Sequence, residues 1–198
     1  MGIIVPNREL WKPRRGHVRA DVRFFHAGES EPYREDLGLT NIWHDEGELF
    51  MLSLAFATNY ADYGSPTPAN MYLGLDNRAA LAELDTLATL VNENPATPLP
   101  GIGYARIAVS TAGTGLAGQD FVISQPVAAY RVTSKSCVFT AGGVWLEVRN
   151  LFVTTHATAV ASGAGQRLLA SLLLSHGPVT LTSGDTVTAT FHAGISEP

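Results

Sequence analysis

Apolar and polar residues alternate along much of the chain beyond residue 103, as in strands with one face on a core and one in solvent. The segment 104–109 alternates in this way, and so do the shorter segments 121–123 and 130–132. Further apolar runs lie at 138–140, 144–153, 168–174 and 187–191. Turns containing glycine separate several of these runs. The pattern predicts a mainly β protein, an antiparallel β-sandwich or jelly-roll-like body.

Two short helices are predicted ahead of this region, near 45–57 and 78–91. Asp45 is a suitable N-cap for the first, and apolar residues then recur on one face. The second helix has an apolar stripe with helical spacing, made of Leu81, Leu84, Leu87, Leu90 and Val91. Between the two helices, residues 71–75 predict a buried strand.

Residues 1–40 show no sustained period, and their prolines are incompatible with regular helix over much of the span. One stretch, 17–24, alternates between apolar and polar residues and is a candidate strand. Such a strand could add to the edge of a partner sheet. We therefore expect an extended basic N-terminal arm over 1–40 and a β-sandwich body over 41–198.

Basic residues concentrate in this arm. The first 23 residues hold six of the thirteen Lys and Arg against two acidic residues, about +4, and the rest holds seven against sixteen, about −9. This asymmetry predicts that the arm docks on an acidic surface of another protein. The residues predicted to bind that partner are Arg8, Trp11, Lys12, Arg14, Arg15, Arg19 and Arg23. No series of aromatic residues accompanies the charges, so specific nucleic-acid binding is not expected.

Neither a membrane span nor an export signal is predicted. No apolar run approaches the roughly 20 residues that cross a bilayer, and the first residues lack the charged and apolar regions of a signal peptide. Cys137 is the only cysteine, so the chain forms no internal disulfide. The expected place of synthesis is a reducing cytoplasm.

Two motifs suggest ligands but have simpler explanations. Gly113-x-Gly115-x-x-Gly118 matches a dinucleotide fingerprint, but strand-like residues follow where that fingerprint needs a helix, so a β-turn is favoured. The cluster of His44, Asp45, Glu46 and Glu48 has the donor atoms for a metal ion, but its acids do not share one helix face. We predict no metal and no cofactor.

Catalytic motifs are not visible. The six histidines form no His-Glu-x-x-His pair, and no Gly-x-Ser-x-Gly elbow or phosphate-binding loop occurs. A Ser-His-Asp triad assembled in space stays open. Cys137 is interpreted as a small core residue, and Trp145 with Phe139 as cross-strand aromatic packing rather than a carbohydrate platform.

Several stretches resemble virion proteins of long-tailed bacteriophages, of the head-decoration (cement) or tail-fibre-like type. They are 41–48, 72–78, 103–109, 143–145 with 150–152, and 168–171 followed by 183–186. The resemblance covers roughly residues 41–197 and leaves the arm uncovered. It implies a structural protein with a β-sandwich body, commonly trimeric, and it carries no catalytic residues.

These observations together predict a non-enzymatic capsid cement protein. We expect it on the outer surface of the phage head, as a homotrimer whose arms clamp neighbouring major capsid subunits against internal DNA pressure. The first alternative is a tail or tail-fibre component involved in host attachment. A host-surface or carbohydrate-binding module and an enzyme are the further alternatives.

Overall fold

The structure, a computed structural model, describes residues 15–40, 42–45, 47, 69–78, 81–87, 102–111, 119–124, 131–157 and 167–196. Within these ranges the chain forms thirteen strands. They are β1 (Arg15–Phe25), β2 (Arg34–Thr40), β3 (Ile42–Trp43), β4 (Asn70–Asp76), β5 (Ile107–Ser110), β6 (Phe121–Ser124), β7 (Arg131–Ser134), β8 (Cys137–Thr140), β9 (Trp145–Val148), β10 (Asn150–Thr154), β11 (Leu168–Leu173), β12 (Val179–Leu181) and β13 (Thr186–Ser196).

The larger sheet is built around the two longest strands, β1 and β13. They pair antiparallel over their whole length, from Arg15 opposite Ser196 to Phe25 opposite Thr186. The strand order is β2-β1-β13-β7-β6, and β8 also pairs with β13, beside β7. At the step between β8 and β7 the Ser134 hydroxyl accepts a hydrogen bond from the Phe191 backbone N–H, at 2.9 Å. The Ser134 hydroxyl thus replaces the backbone carbonyl that the Phe191 N–H lacks where the pairing of β13 changes from β8 to β7.

The smaller sheet has the order β3-β11-β10-β4-β5, and β9 and β12 form a separate pair. Every pairing within these sheets is antiparallel. Strands β4, β10 and β11 carry long runs of buried residues because both of their faces are covered. This explains why the central residues of these strands are mostly apolar on both faces, with Ser171 as an exception in β11.

The hydrophobic core lies between the two sheets and joins them in one cluster. Alternate residues of β1 contribute Val18, Ala20, Val22 and Phe24, all fully buried. The mainly β, antiparallel fold predicted from the alternation is confirmed. Trp145 is also buried, and its indole N–H donates to the Ile102 carbonyl at 2.9 Å.

Aromatic packing around Trp145 involves a third ring. Tyr104 meets Trp145 edge-on at 5.7 Å between ring centroids and stacks on Phe139 at 6.4 Å. Both predicted residues therefore lie in the core, but they are not a cross-strand pair, because β8 pairs with β13 and β9 pairs with β12. Tyr104 contacts both of their rings. Cys137 is buried in β8. Burial raises the pKa of its thiol to about 11, as expected for a core residue that is not activated as a nucleophile.

The predicted boundary at residue 40 needs correction. Residues 15–40 are not an arm: β1 pairs on one side with β13 and on the other with β2. The alternation at 17–24 did indicate a strand, but that strand completes the protein's own sheet rather than a partner's. Residues 1–14 of the predicted arm lie outside the described residues.

The second predicted helix also needs correction. Of the span 78–91, residues 81–86 are irregular with a turn at 83–84, and Leu84 is 78% exposed although it belongs to the proposed apolar stripe. Asp85 explains the departure from helix, because its carboxylate accepts the Ala82 N–H at 2.6 Å and competes with helical hydrogen bonding. Leu81 and Leu87 pack in a small separate cluster of the core.

The first predicted helix, near 45–57, falls mostly outside the described residues, of which Asp45 and Gly47 have helical backbone. Among the residues that the structure describes, no helix has the length and apolarity to span a membrane.

Candidate functional site

The exposed side of the larger sheet carries two of the residues that the charge pattern had singled out, Arg19 and Arg23. Because side chains alternate along a strand, the residues between the buried ones of β1 point away from the core. We call this side the outer face. Its members in the described residues include Arg19, Asp21, Arg23, Glu35, Arg131, Thr133, Thr188, Thr190 and His192.

The predicted partner-binding residues divide into three groups. Arg8, Trp11, Lys12 and Arg14 lie outside the described residues. The backbone of Arg15 opens β1 opposite Ser196. Arg19 and Arg23 are exposed on the outer face. The sequence therefore predicted two cationic positions of this surface, as part of an arm rather than of a sheet.

Arg23 is already paired within the chain. Its Nε donates to Glu35 Oε1 at 2.6 Å, across the β1–β2 ladder, and both side chains are more than 40% exposed. An exposed pair of this kind stabilises a fold by about 1 kcal/mol or less. Arg19 forms no ion pair with any residue that the structure describes. Arg19 is the better candidate for an intermolecular contact.

Arg131 is a second exposed cation on the outer face, and the sequence analysis did not identify it. It lies in β7 opposite Gly194 of β13, and it forms no ion pair within the described ranges. The alternation at 130–132 predicted its strand. Arg131 lies near Arg19 because β13 runs between β1 and β7. No local sequence pattern reveals that strand order.

His192 lies between a hydroxyl and a carboxylate on this face. Its Nδ1 is 3.1 Å from the Thr133 hydroxyl, and its Nε2 is 3.4 Å from Asp21 Oδ2. Asp21 also accepts the Gly38 backbone N–H at 2.8 Å. The group types are those of a hydrolytic triad, but they lie on a sheet face, and the contact to Asp21 is longer than an ordinary hydrogen bond to a carboxylate. The arrangement orients His192 beside Arg19.

A buried carboxylate, Asp36, fastens the loop after β11 to β2. It accepts hydrogen bonds from Arg34 Nε at 2.8 Å and from the side chains of Ser175 and His176. Burial alone would raise the pKa of Asp36, but these hydrogen bonds outweigh it and hold the pKa below its ordinary value. Arg34 also donates to the Gly177 carbonyl at 2.8 Å, which closes the cluster.

Ser175, His176 and Asp36 together contain the three groups of a catalytic triad, so their connectivity matters. In a triad the hydroxyl and the carboxylate meet opposite nitrogens of the imidazole. Here the Ser175 hydroxyl lies 3.0 Å from His176 Nδ1, and the Asp36 carboxylate meets the same nitrogen. This geometry cannot relay a proton from serine through histidine, and the cluster acts as a structural clamp.

Comparison with protein-family models, with curated proteins and with solved structures finds no match. The functional conclusion therefore depends on the residues of this chain and on the resemblance described above.

The motif-based alternatives lose support where the structure describes them. His44 is buried, with Nε2 2.9 Å from the Ser171 hydroxyl and Nδ1 3.3 Å from the Glu83 carbonyl, so its ring nitrogens have partners inside the protein. Neighbouring Asp45 is exposed, and Glu46 and Glu48 lie outside the described residues. The described part of the chain holds no group of three potential metal ligands.

The glycine motif at 113–118 lies outside the described residues, and the strand predicted after it is β6.

What the outer face offers chemically is a firm sheet surface with two unpaired guanidinium groups. Guanidinium groups bind carboxylates through paired N–H donors.

Proposed function

We propose that the protein is a structural subunit of a tailed-bacteriophage particle, a cement or decoration protein on the outer surface of the head. In this role it binds the major capsid protein and further copies of itself, as a homotrimer, and it has no catalytic activity. The resemblance of residues 41–197 to such virion proteins supports the assignment. The β-sandwich body is consistent with it.

The observation that carries the proposal is the position of the unpaired cations. Arg19 and Arg131 lie toward the end of the outer face at which β1 begins, immediately after the basic segment 1–14. That segment contributes Arg8, Lys12 and Arg14. A basic tail and a basic sheet face at the same end would present one continuous surface, with the tail directed to an acidic capsid subunit and the sheet face available to a further copy.

The corrected boundary changes how the arm would act. A segment of 14 residues reaches at most roughly 50 Å when fully extended, enough to cross from one shell subunit to its neighbour. The ordering of such a segment costs conformational entropy, which the contacts on the capsid must offset. Residues 15–25 are not available for this purpose because they form a core strand.

The test is occupancy of purified particles, measured by cryo-electron microscopy and by gel stoichiometry. The informative variant replaces Arg8, Lys12 and Arg14 by serine, which keeps the chain length and leaves β1 intact. Its matched control replaces Lys135 by serine, because that cation pairs with Asp120 of the same chain at 2.8 Å. We expect occupancy of the head to fall at least about tenfold in the triple variant and to be unchanged in the control.

Unchanged occupancy in the triple variant would contradict the arm's role in docking. A few copies located at the tail would instead select the tail or tail-fibre component, which the sequence resemblance also includes. Absence of the protein from particles would refute both forms of the proposal.

A further inference from the structure

The loop between β1 and β2 presents two carboxylates that have no partner within the chain. Glu29 and Glu31 are exposed, and neither side chain forms an ion pair or hydrogen bond with another described residue. The loop turns at Gly28, whose φ of 78° suits glycine, and the Glu29 N–H donates to the His26 carbonyl at 3.1 Å. The two acids therefore project from a defined turn at one end of the larger sheet.

This acidic loop is held in place by contacts at its base. The rings of His26 and Tyr33 stack at 4.0 Å between centroids, and the Tyr33 N–H donates to the Phe24 carbonyl at 2.9 Å. The backbone N–H of Ala27 donates to buried Asp185 at 3.1 Å. A loop fixed in this way loses little conformational freedom when it binds, which favours a role in recognition.

The complementary charges lie near the other end of the same sheet. His192 lies directly opposite Arg19 on one side and opposite Thr133 on the other, so these three side chains lie on the same face of the sheet. Arg131 lies on that face too, because it is two residues from Thr133 in the same strand. Standard strand spacings put the Cα atoms of Arg19 and Arg131 about 12 Å apart. Between them runs β13, where Gly194 has no side chain to obstruct an incoming carboxylate.

Within one copy the two sets of charges cannot meet. Arg131 lies level with residue 17 of β1, because both are opposite Gly194. The loop begins at residue 26, nine residues beyond residue 17 and seven beyond Arg19. Because a strand advances about 3.3 Å per residue, the two sets are roughly 20–30 Å apart. The unpaired cations and the unpaired carboxylates can only neutralise each other between different molecules.

We infer that copies of this chain associate head to tail, with Glu29 and Glu31 of one copy bound to Arg19 and Arg131 of the next. The contact is heterologous, since different surfaces of the two copies meet, and it leads to a closed ring or a filament. The inference deepens the self-association included in the proposed function, and it requires no capsid partner. Self-association can therefore be disproved while the virion role still holds, and the virion role can be disproved while the chain still self-associates.

The experiment is sedimentation velocity on the full-length protein, with circular dichroism to verify folding. The basic variant is Arg19→Glu with Arg131→Glu, and the acidic variant is Glu29→Arg with Glu31→Arg. The matched control for the basic variant reverses Lys135 and Arg149, which pair with Asp120 and Glu147 of the same copy. We expect each of the two variants to weaken self-association at least about tenfold, and the control to retain it.

The decisive measurement mixes the two variants. Each variant alone associates only weakly. In a one-to-one mixture the reversed loop of the acidic variant faces the reversed sheet face of the basic variant, and the unaltered loop and face also match, so complexes should form again. Raising the salt concentration should dissociate both the wild-type and the rescued complexes. The inference is overturned if the wild-type protein stays monomeric at about 100 μM, a concentration on the order of the Kd of a weak contact. So does a mixture that shows no rescue while both variants remain folded.

Discussion

Phe24→Ala tests whether the segment at 15–25 belongs to the core of the body. Phe24 is fully buried in β1, its ring lies 6.3 Å from that of Tyr33, and the Arg34 guanidinium carbon lies 5.2 Å from its centroid. Truncating a buried phenylalanine to alanine costs about 3–5 kcal/mol. Loss of the cation–π contact with Arg34 adds about 0.5–1 kcal/mol. We therefore expect the free energy of unfolding to fall by roughly 4 kcal/mol.

Urea unfolding followed by tryptophan fluorescence measures this loss. With an m-value of about 2 kcal/mol/M, the midpoint should decrease by roughly 2 M. The adjacent Phe25→Ala is the matched control, because Phe25 is only partly buried and lies on the opposite side of the strand. Its midpoint should move much less. Equal midpoints for the two variants would refute the assignment of β1 to the core and restore the arm up to residue 25.

Two further predictions concern buried polar groups. Asp36→Asn should lower the free energy of unfolding by about 2–3 kcal/mol at pH 7, and the exposed neighbour Glu35→Gln serves as control. The pKa of Asp36 in the folded protein lies below the ordinary 3.8. Its stabilising contribution is therefore complete above pH 3.8 and is lost as the pH falls through the pKa of the folded state. The difference in unfolding free energy between wild type and Asp36→Asn should thus shrink below pH 3.8, and a constant difference down to pH 2 would contradict it. Ser134→Ala leaves the Phe191 N–H without its acceptor and should cost about 1–3 kcal/mol in thermal unfolding, whereas exposed Ser136→Ala should change nothing measurable; equal effects of the two would exclude the proposed bridge.

Most strands of the fold were predictable because their signal is local. An apolar run such as 168–174 or 187–191 reflects burial of the strand that it forms, β11 and β13 respectively. The apolar run 144–153 shows no break in the sequence but contains two strands, β9 and β10, with Arg149 between them. The positive φ of Glu147, 53°, marks the irregular end of β9, and no sequence pattern at a glutamate indicates it.

The errors arose where distant residues decide the structure. β1 reads as a charged terminal segment, since Arg19, Asp21 and Arg23 interrupt its apolar residues, and its burial depends on β13 more than 160 residues later. The leucines at 81, 84 and 87 satisfy helical spacing, yet the side chain of Asp85 closes a turn there. Arg19 was predicted as a candidate contact residue because local charge indicates it. Its proximity to Arg131 was not predictable, because it depends on the order of distant strands.

The pairing of β1 with β13 has a consequence for the order of events during synthesis. The larger sheet has β1 and β13 at its centre, and β13 is the last strand of the described chain to leave the ribosome. Until then, β1 has β2 as its one available sheet neighbour, and its row of valine and phenylalanine side chains lacks the partner strand that helps to bury it. Folding of the sandwich is therefore expected to await the synthesis of β13 and to be slow, in line with its non-local contacts. The charged residues that alternate along β1 would limit aggregation of the nascent chain during this interval.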